Sequence, residues 1–202
     1  TFSINVTVNK ATPSVSVNPT AAAITYGETL ASSGFTGGTT SVAGSWAWQD
    51  ATIAPSAGTT SYTAVFTPTD SANYNTVNRS ISVTTAKATP TVDATPTAAP
   101  ITYGAVLSSA TLGGGSASVA GSFAYAAPNS TPTAGTANYS VTFTPTDTAN
   151  YNTVSNLQVS VTVDKATPTI NATPTAAPIT YGAALSSATL GGGSASVAGS
   201  FA

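Results

Sequence analysis

The chain has 202 residues, four Lys or Arg against six Asp or Glu, a net charge of −2, and no His, Cys or Met. Charged residues are 5% of it, against about 25% in ordinary soluble domains, so there is no cationic footprint for nucleic acid or an anionic membrane. Lack of His and Cys excludes disulfides, the usual Ser–His and Cys–His nucleophiles and the commonest metal ligands, and no apolar stretch reaches membrane-spanning length.

Residues 1–9 alternate Phe2, Ile4, Val6 and Val8, as Leu157, Val159, Val161 and Val163 do later. They read as the last strand of a preceding repeat. Lys-Ala-Thr-Pro then starts at Lys10, Lys87 and Lys165, spacings of 77 (87 − 10) and 78 (165 − 87). This defines a repeat over 10–86, a second over 87–164, and the N-terminal part of a truncated third over 165–202. Lys87–Ala124 and Lys165–Ala202 differ only at Val92/Ile170, Asp93/Asn171 and Val106/Ala184. With no Met at position 1 and a strand pattern already under way, the chain reads as an internal piece of a longer array.

Within a repeat the period is two and never helical. A first strand is expected near Ser14–Asn18, and a second over Ile24–Phe35 with a bend at Tyr26-Gly27. A glycine turn comes next at Gly37-Gly38. The third strand, Val42–Trp48, carries Gly44, Trp46 and Trp48 on one face; Gly121, Phe123 and Tyr125 replace them in the next copy. A proline-rich connection leads to strands ending at Phe66 and Phe143. Then come the twin corners Asp70-Ser-Ala-Asn-Tyr74 and Asp147-Thr-Ala-Asn-Tyr151, and a last strand at Arg79–Thr85 or Leu157–Val163. The second copy's extra residue falls between Val154 and Val159, where a turn is expected. Large aromatics on the middle strand predict a core built on Trp46, Trp48, Phe66, Phe123, Tyr125 and Phe143.

The fold class expected is all-β: tandem immunoglobulin-like β-sandwiches placed end to end, the Pro-stiffened link being only four residues. The Asp-x-Ala-x-Tyr spelling resembles the tyrosine corner of that fold, with Asp70, Tyr74, Asp147 and Tyr151 as its structural residues. Taken with Ile-Thr-Tyr-Gly and Ala-Gly-Thr, it makes the chain look like the tandem bacterial Ig-like repeats of large secreted or surface-anchored, adhesin-type proteins. That resemblance implies an extracellular or cell-surface stalk, spacer or fibre, partnered by neighbouring repeats of the same polypeptide. The alternatives are an adhesive module contacting glycans or proteins through loops or strand edges, and self-assembly of copies by strand addition at Phe2–Val8. Some repeats of this general class also cross-link Lys to Asn; here Lys10, Lys87 and Lys165 recur in register, with Asn73 or Asn150 as the acceptor and Asp70 or Asp147 as the assisting acid, but the preferred reading is a solvated linker lysine whose stem lies over apolar surface.

No cofactor is implied, and no catalytic residues are assigned. Glu28 and Asp50 give one carboxylate pair, but Ala105 and Ala127 replace them in the second copy. Asp70 and Asp147 are the candidate calcium ligands. Calcium takes six to eight oxygens, usually from several carboxylates, and each corner offers one, so the preferred role is capping a turn.

Overall fold

The computed structural model describes residues 2–202. Among the described residues the chain is all-β, interrupted only by single 3-10 turns at Leu30–Ser32, Leu107–Ser109 and Leu185–Ser187. It divides into two compact units. The first takes the chain up to Thr97 together with Leu112–Ala126 and Tyr139–Val159; the second takes Ala98–Thr111, Ala127–Asn138 and Ser160–Ala202.

In the first unit the strands of residues 10–86 are β1 (Val15–Val17), β2 (Thr20–Ala21), β3 (Ile24–Thr25), β4 (Phe35–Thr36), β5 (Thr39–Thr40), β6 (Gly44–Trp48), β7 (Gly58–Pro68) and β8 (Val77–Ala86). A four-stranded sheet has the order β3-β8-β7-β6. Its strands pair antiparallel except β3, which lies parallel to β8 with Ile24 opposite Thr85. Alternation sets its two faces: Val77, Ile81, Val83 and Thr85 of β8 are buried, with exposed neighbours between them from Ser80 on. Short antiparallel ribbons, β1 with β5 and β2 with β4, make the other layer. Ala21 and Phe35 of those ribbons pack on a core of Ile24, Leu30, Trp48, Ala64, Ile81 and Val83.

Aromatic pairs line up across these strands. Trp46 stands opposite Phe66 in register, with ring centroids 5.4 Å apart. Phe123 and Phe143 repeat the pair at 5.0 Å. The Phe66 ring and the Thr67 carbonyl occupy the space a Cβ on Gly44 would need, and at Gly121 such a Cβ would lie 2.5 Å from Phe143 and from the Thr144 carbonyl. Only glycine allows that approach. The indole Nε1 of Trp48 donates to the Ser33 carbonyl at 2.8 Å, so this buried ring leaves no polar atom stranded.

Two strand expectations are corrected. Ile24–Phe35 bends at Gly27 (φ +97°), as expected, but is not one strand: beyond the bend a 3-10 turn drives Leu30 into the core. The Glu28 carboxylate closes the bend by accepting the Thr25 N–H at 2.6 Å. The extra residue of the second copy makes a bulge, not a turn. Asn156 has φ +61° inside the unbroken strand Val154–Asp164, and Asn tolerates that left-handed region better than most residues. One residue is absorbed, and Val159, Val161 and Val163 return to the buried face.

In the second unit Ile101–Thr102 pairs parallel with Val163–Asp164. Ile101, Leu107, Ala110, Val161 and Val163 are buried there. Residues 170–195 form two small antiparallel ribbons, Ile170–Ala172 with Ser194–Ala195 and Thr175–Ala176 with Leu190–Gly191. Leu185 on the last 3-10 turn is 82% exposed, whereas Leu30 and Leu107 at the same point of their copies are 1% exposed. Residues 165–202 contain no counterpart of Phe66, Ile81 or Val83 to close over it. No helix among the described residues is long and apolar enough to cross a membrane.

The Thr85 hydroxyl is buried without a hydrogen-bond partner, and Val163 occupies its place in the second copy. An unsatisfied buried polar group costs about 1–3 kcal/mol. Thr85→Val therefore raises the thermal midpoint, whereas Gly121→Ala lowers stability by about 1–3 kcal/mol through overpacking; differential scanning calorimetry checks both signs.

Candidate functional site at the Asp–Asn–Tyr corners

The β7–β8 pairing ends at Phe66 and Val77, β7 itself ends at Pro68, and Asp70 organises the turn beyond it. Its Oδ1 accepts the Asn73 N–H at 3.1 Å, its Oδ2 accepts the Asn73 side-chain Nδ2 at 2.8 Å, and its carbonyl accepts the Tyr74 N–H at 3.1 Å. The second corner repeats this geometry, with Asp147 accepting from the Asn150 N–H at 3.2 Å, Asn150 Nδ2 at 2.8 Å and the Tyr151 N–H at 3.1 Å. Asp70 is fully exposed. Its carboxyl is held below the usual range, first by the Asn73 amide side chain and next by the Asn73 backbone N–H.

Each corner also grips the Lys-Ala-Thr-Pro link. Ala11 forms a parallel bridge to Tyr74: its N–H donates to the Asn73 carbonyl and its carbonyl accepts the Asn75 N–H, both at 2.8 Å. Asn75 Nδ2 donates to Thr12 Oγ1 at 3.2 Å. Lys10 Nζ donates to the Ser71 carbonyl at 2.7 Å, and Lys87 Nζ to the Thr148 carbonyl at 2.6 Å. Ala88 and Tyr151 repeat the bridge.

These contacts bear on the alternative roles of the corner. Both Asp70 oxygens are engaged by one asparagine, and among the described residues no three acidic or other metal-ligating side chains cluster. The geometry fits a turn cap. Lys10, Asp70 and Asn73 do come together, but the lysine points at a backbone carbonyl and the asparagine amide at the carboxylate. Acid-assisted amide formation needs a proton held on the carboxyl, which burial would favour; Asp70 is exposed and shifted the other way.

Trp48 and Tyr125 are buried, Phe66 and Phe143 more deeply still, and Trp46 and Phe123 are half-buried. The carboxylates of Glu28 and Asp50 both serve turns. Glu28 closes the bend at Gly27, and Asp50 accepts the Thr52 N–H at 2.9 Å and the Thr52 hydroxyl at 2.6 Å.

The tyrosines sit differently from a core tyrosine corner. Tyr74 and Tyr151 are half-buried, and the Tyr151 ring meets Tyr26 of the preceding repeat edge to face, centroids 5.3 Å apart. Beside them Asn150 Oδ1 accepts the Ala57 N–H at 2.8 Å. Neither Asn150 nor Ala57 was singled out from the sequence as a joint residue. The available signal was the Asn that precedes Tyr at both corners.

No family model matches this chain, and no curated protein matches it. Among solved structures, an I-band fragment of titin aligns with a TM-score of 0.34 and 11% identity, over 80% of this chain and 69% of that one.

Two outcomes are expected at the corner. The depressed Asp70 carboxyl contributes stability that is present above its unfolded pKa of about 3.9 and is lost as pH falls through the folded value. The thermal midpoint accordingly drops on acidification below about pH 4, and Asp70→Ala shallows that drop. Intact-mass spectrometry gives the full sequence mass, with no loss of ammonia from a Lys10–Asn73 bond.

Proposed function

We propose that this region is a structural spacer: immunoglobulin-like β-sandwich repeats, set end to end, that project or link other domains of a secreted or cell-surface bacterial protein. The supporting observation is the duplicated corner. Hydrogen bonds at Asp70 and Asp147, bridges at Ala11 and Ala88, and lysine contacts at Lys10 and Lys87 recur at corresponding positions in both copies. A device repeated at that fidelity, in a chain that repeats no acid–base pair, suits a mechanical role over a catalytic one. The order β3-β8-β7-β6 with a facing ribbon layer is consistent with a reduced Ig-like sandwich. It is reduced because no strand intervenes between β6 and β7.

One observation favours a second reading, assembly by strand addition. Phe2, Ile4, Val6 and Val8 are 80–102% exposed on a segment without strand partners. Such a segment is a template for pairing with another chain. Concentration-dependent filaments that vanish on deleting residues 1–9 would establish it.

The spacer reading is tested by small-angle scattering on arrays of increasing copy number. The maximum dimension should grow by roughly 30–40 Å per copy and stay constant from about 0.01 to 1 M salt, since so few charges exist to be screened. A dimension that grows as a compact globule overturns it.

A further inference from the structure

We infer that the Asp-x-Ala-Asn-Tyr corner is an inter-repeat clasp, whose partner is the preceding copy's Tyr26-type ring and Ala57-type backbone N–H. It rests on the tandem-repeat reading and adds to it the residues that couple one copy to the next. Asp147 acts through Asn150: by taking both the backbone N–H and Nδ2 of Asn150, it fixes which way the side-chain amide faces. The free Oδ1 is thereby presented to the Ala57 N–H at 2.8 Å. Ala57 immediately precedes Gly58, whose φ of +129° starts β7, so this N–H lies outside the ladder and the neighbouring copy supplies its acceptor. Tyr151 meets Tyr26 in the edge-to-face geometry that aromatic pairs prefer. Lys87, bound to the Thr148 carbonyl, and Asn152, bound to Thr89 Oγ1 at 3.0 Å, hold the link against the same corner.

The counterpart positions show what the clasp covers. Tyr103 and Ala134 correspond to Tyr26 and Ala57, and residues 165–202 carry no such corner. Ala134 is exposed where Ala57 is half-buried, and Tyr103 is 56% exposed where Tyr26 is half-buried. Tyr103, Ala134 and Lys165–Pro168 instead line an open groove of about 340 Å³. At the first joint the corner of residues 147–151 supplies the contacts that are missing here. Each of the two complete copies thus carries both halves of the clasp, which is what a head-to-tail contact requires.

The experiment is amide hydrogen exchange by NMR on the full chain, with Trp46 and Trp48, the chain's two tryptophans, reporting unfolding of the first copy alone. In the wild type the Ala57 amide is protected. In Asn150→Ala it loses at least tenfold of that protection while the amides of β7 and β8 keep theirs, and the tryptophan-reported folded-to-unfolded ratio of the first copy falls about fivefold, within the range of one lost neutral hydrogen bond. Tyr151→Ala lowers that ratio too, and Tyr151→Phe, which keeps the ring, leaves it unchanged. Dispersed amide signals from residues 87–164 in the same NMR spectra establish that the second copy stays folded in each variant. Should Asn150→Ala unfold it, Ala57 protection in the wild type and the Tyr151 pair decide the matter. An unprotected Ala57 amide in the wild type, or a tryptophan transition indifferent to both Asn150→Ala and Tyr151→Ala, overturns the clasp. Failure of the spacer reading shows separately, in the scattering, and leaves these exchange results intact.

Discussion

The pairing of one carboxylate with one asparagine, Asp70 with Asn73 and Asp147 with Asn150, is the constraint on which the corners depend. It spends a single charge to fix a five-residue turn. In a chain with six acidic residues, that is a large share of the available electrostatics. Because the carboxylate is exposed, the pair contributes little by Coulomb attraction; its effect is geometric. It closes the β7–β8 corner, exposes the next carbonyl to the lysine, and aims the amide oxygen outward.

The remaining order comes from uncharged sources. Backbone ladders run through β6, β7 and β8, and aromatic rings fill the space between layers. Glycine at residues 44 and 121 lets Phe66 and Phe143 lie against the neighbouring strand. The two copies solve the buried polar tip of the middle-strand aromatic differently. Trp48 gives its N–H to Ser33, whereas the Tyr125 hydroxyl is buried without a partner and its pKa is raised by that burial. The second copy carries that cost within an otherwise repeated framework.

Most of the fold was legible because a period of two survives wherever one face is buried, as along Val77–Thr85 and Val159–Val163. The repeat was legible because Lys-Ala-Thr-Pro punctuates it. The sequence misled where local conformation broke the alternation without changing composition. Nothing in Ile24–Phe35 announces that Leu30 leaves the strand on a 3-10 turn, and one inserted residue near Asn156 reads equally well as a turn or a bulge. The corner was recognisable, but the direction of the Tyr151 ring was not. Whether a phenol points into its own core or against the copy before it depends on packing that spacing does not encode.

The near-identity of residues 87–124 and 165–202 has a kinetic side. Their ribbons share one register: the Thr97 hydroxyl donates to the Gly113 carbonyl as Thr175 does to Gly191, and the Ser118 hydroxyl accepts the Thr91 N–H as Ser196 accepts that of Thr169. While the chain is still unfolded, the strand Gly135–Pro145 is flanked in sequence by two chemically equivalent candidates for its opposite layer, one on either side. Exchange between neighbouring copies of this similarity is a characteristic misfolding route of tandem proteins. Synthesis from the N-terminus resolves the choice by order of arrival, since residues 87–124 emerge before the strand and residues 165–202 after it. Refolding the finished chain from denaturant removes that ordering, and the two ribbon segments then compete on equal terms.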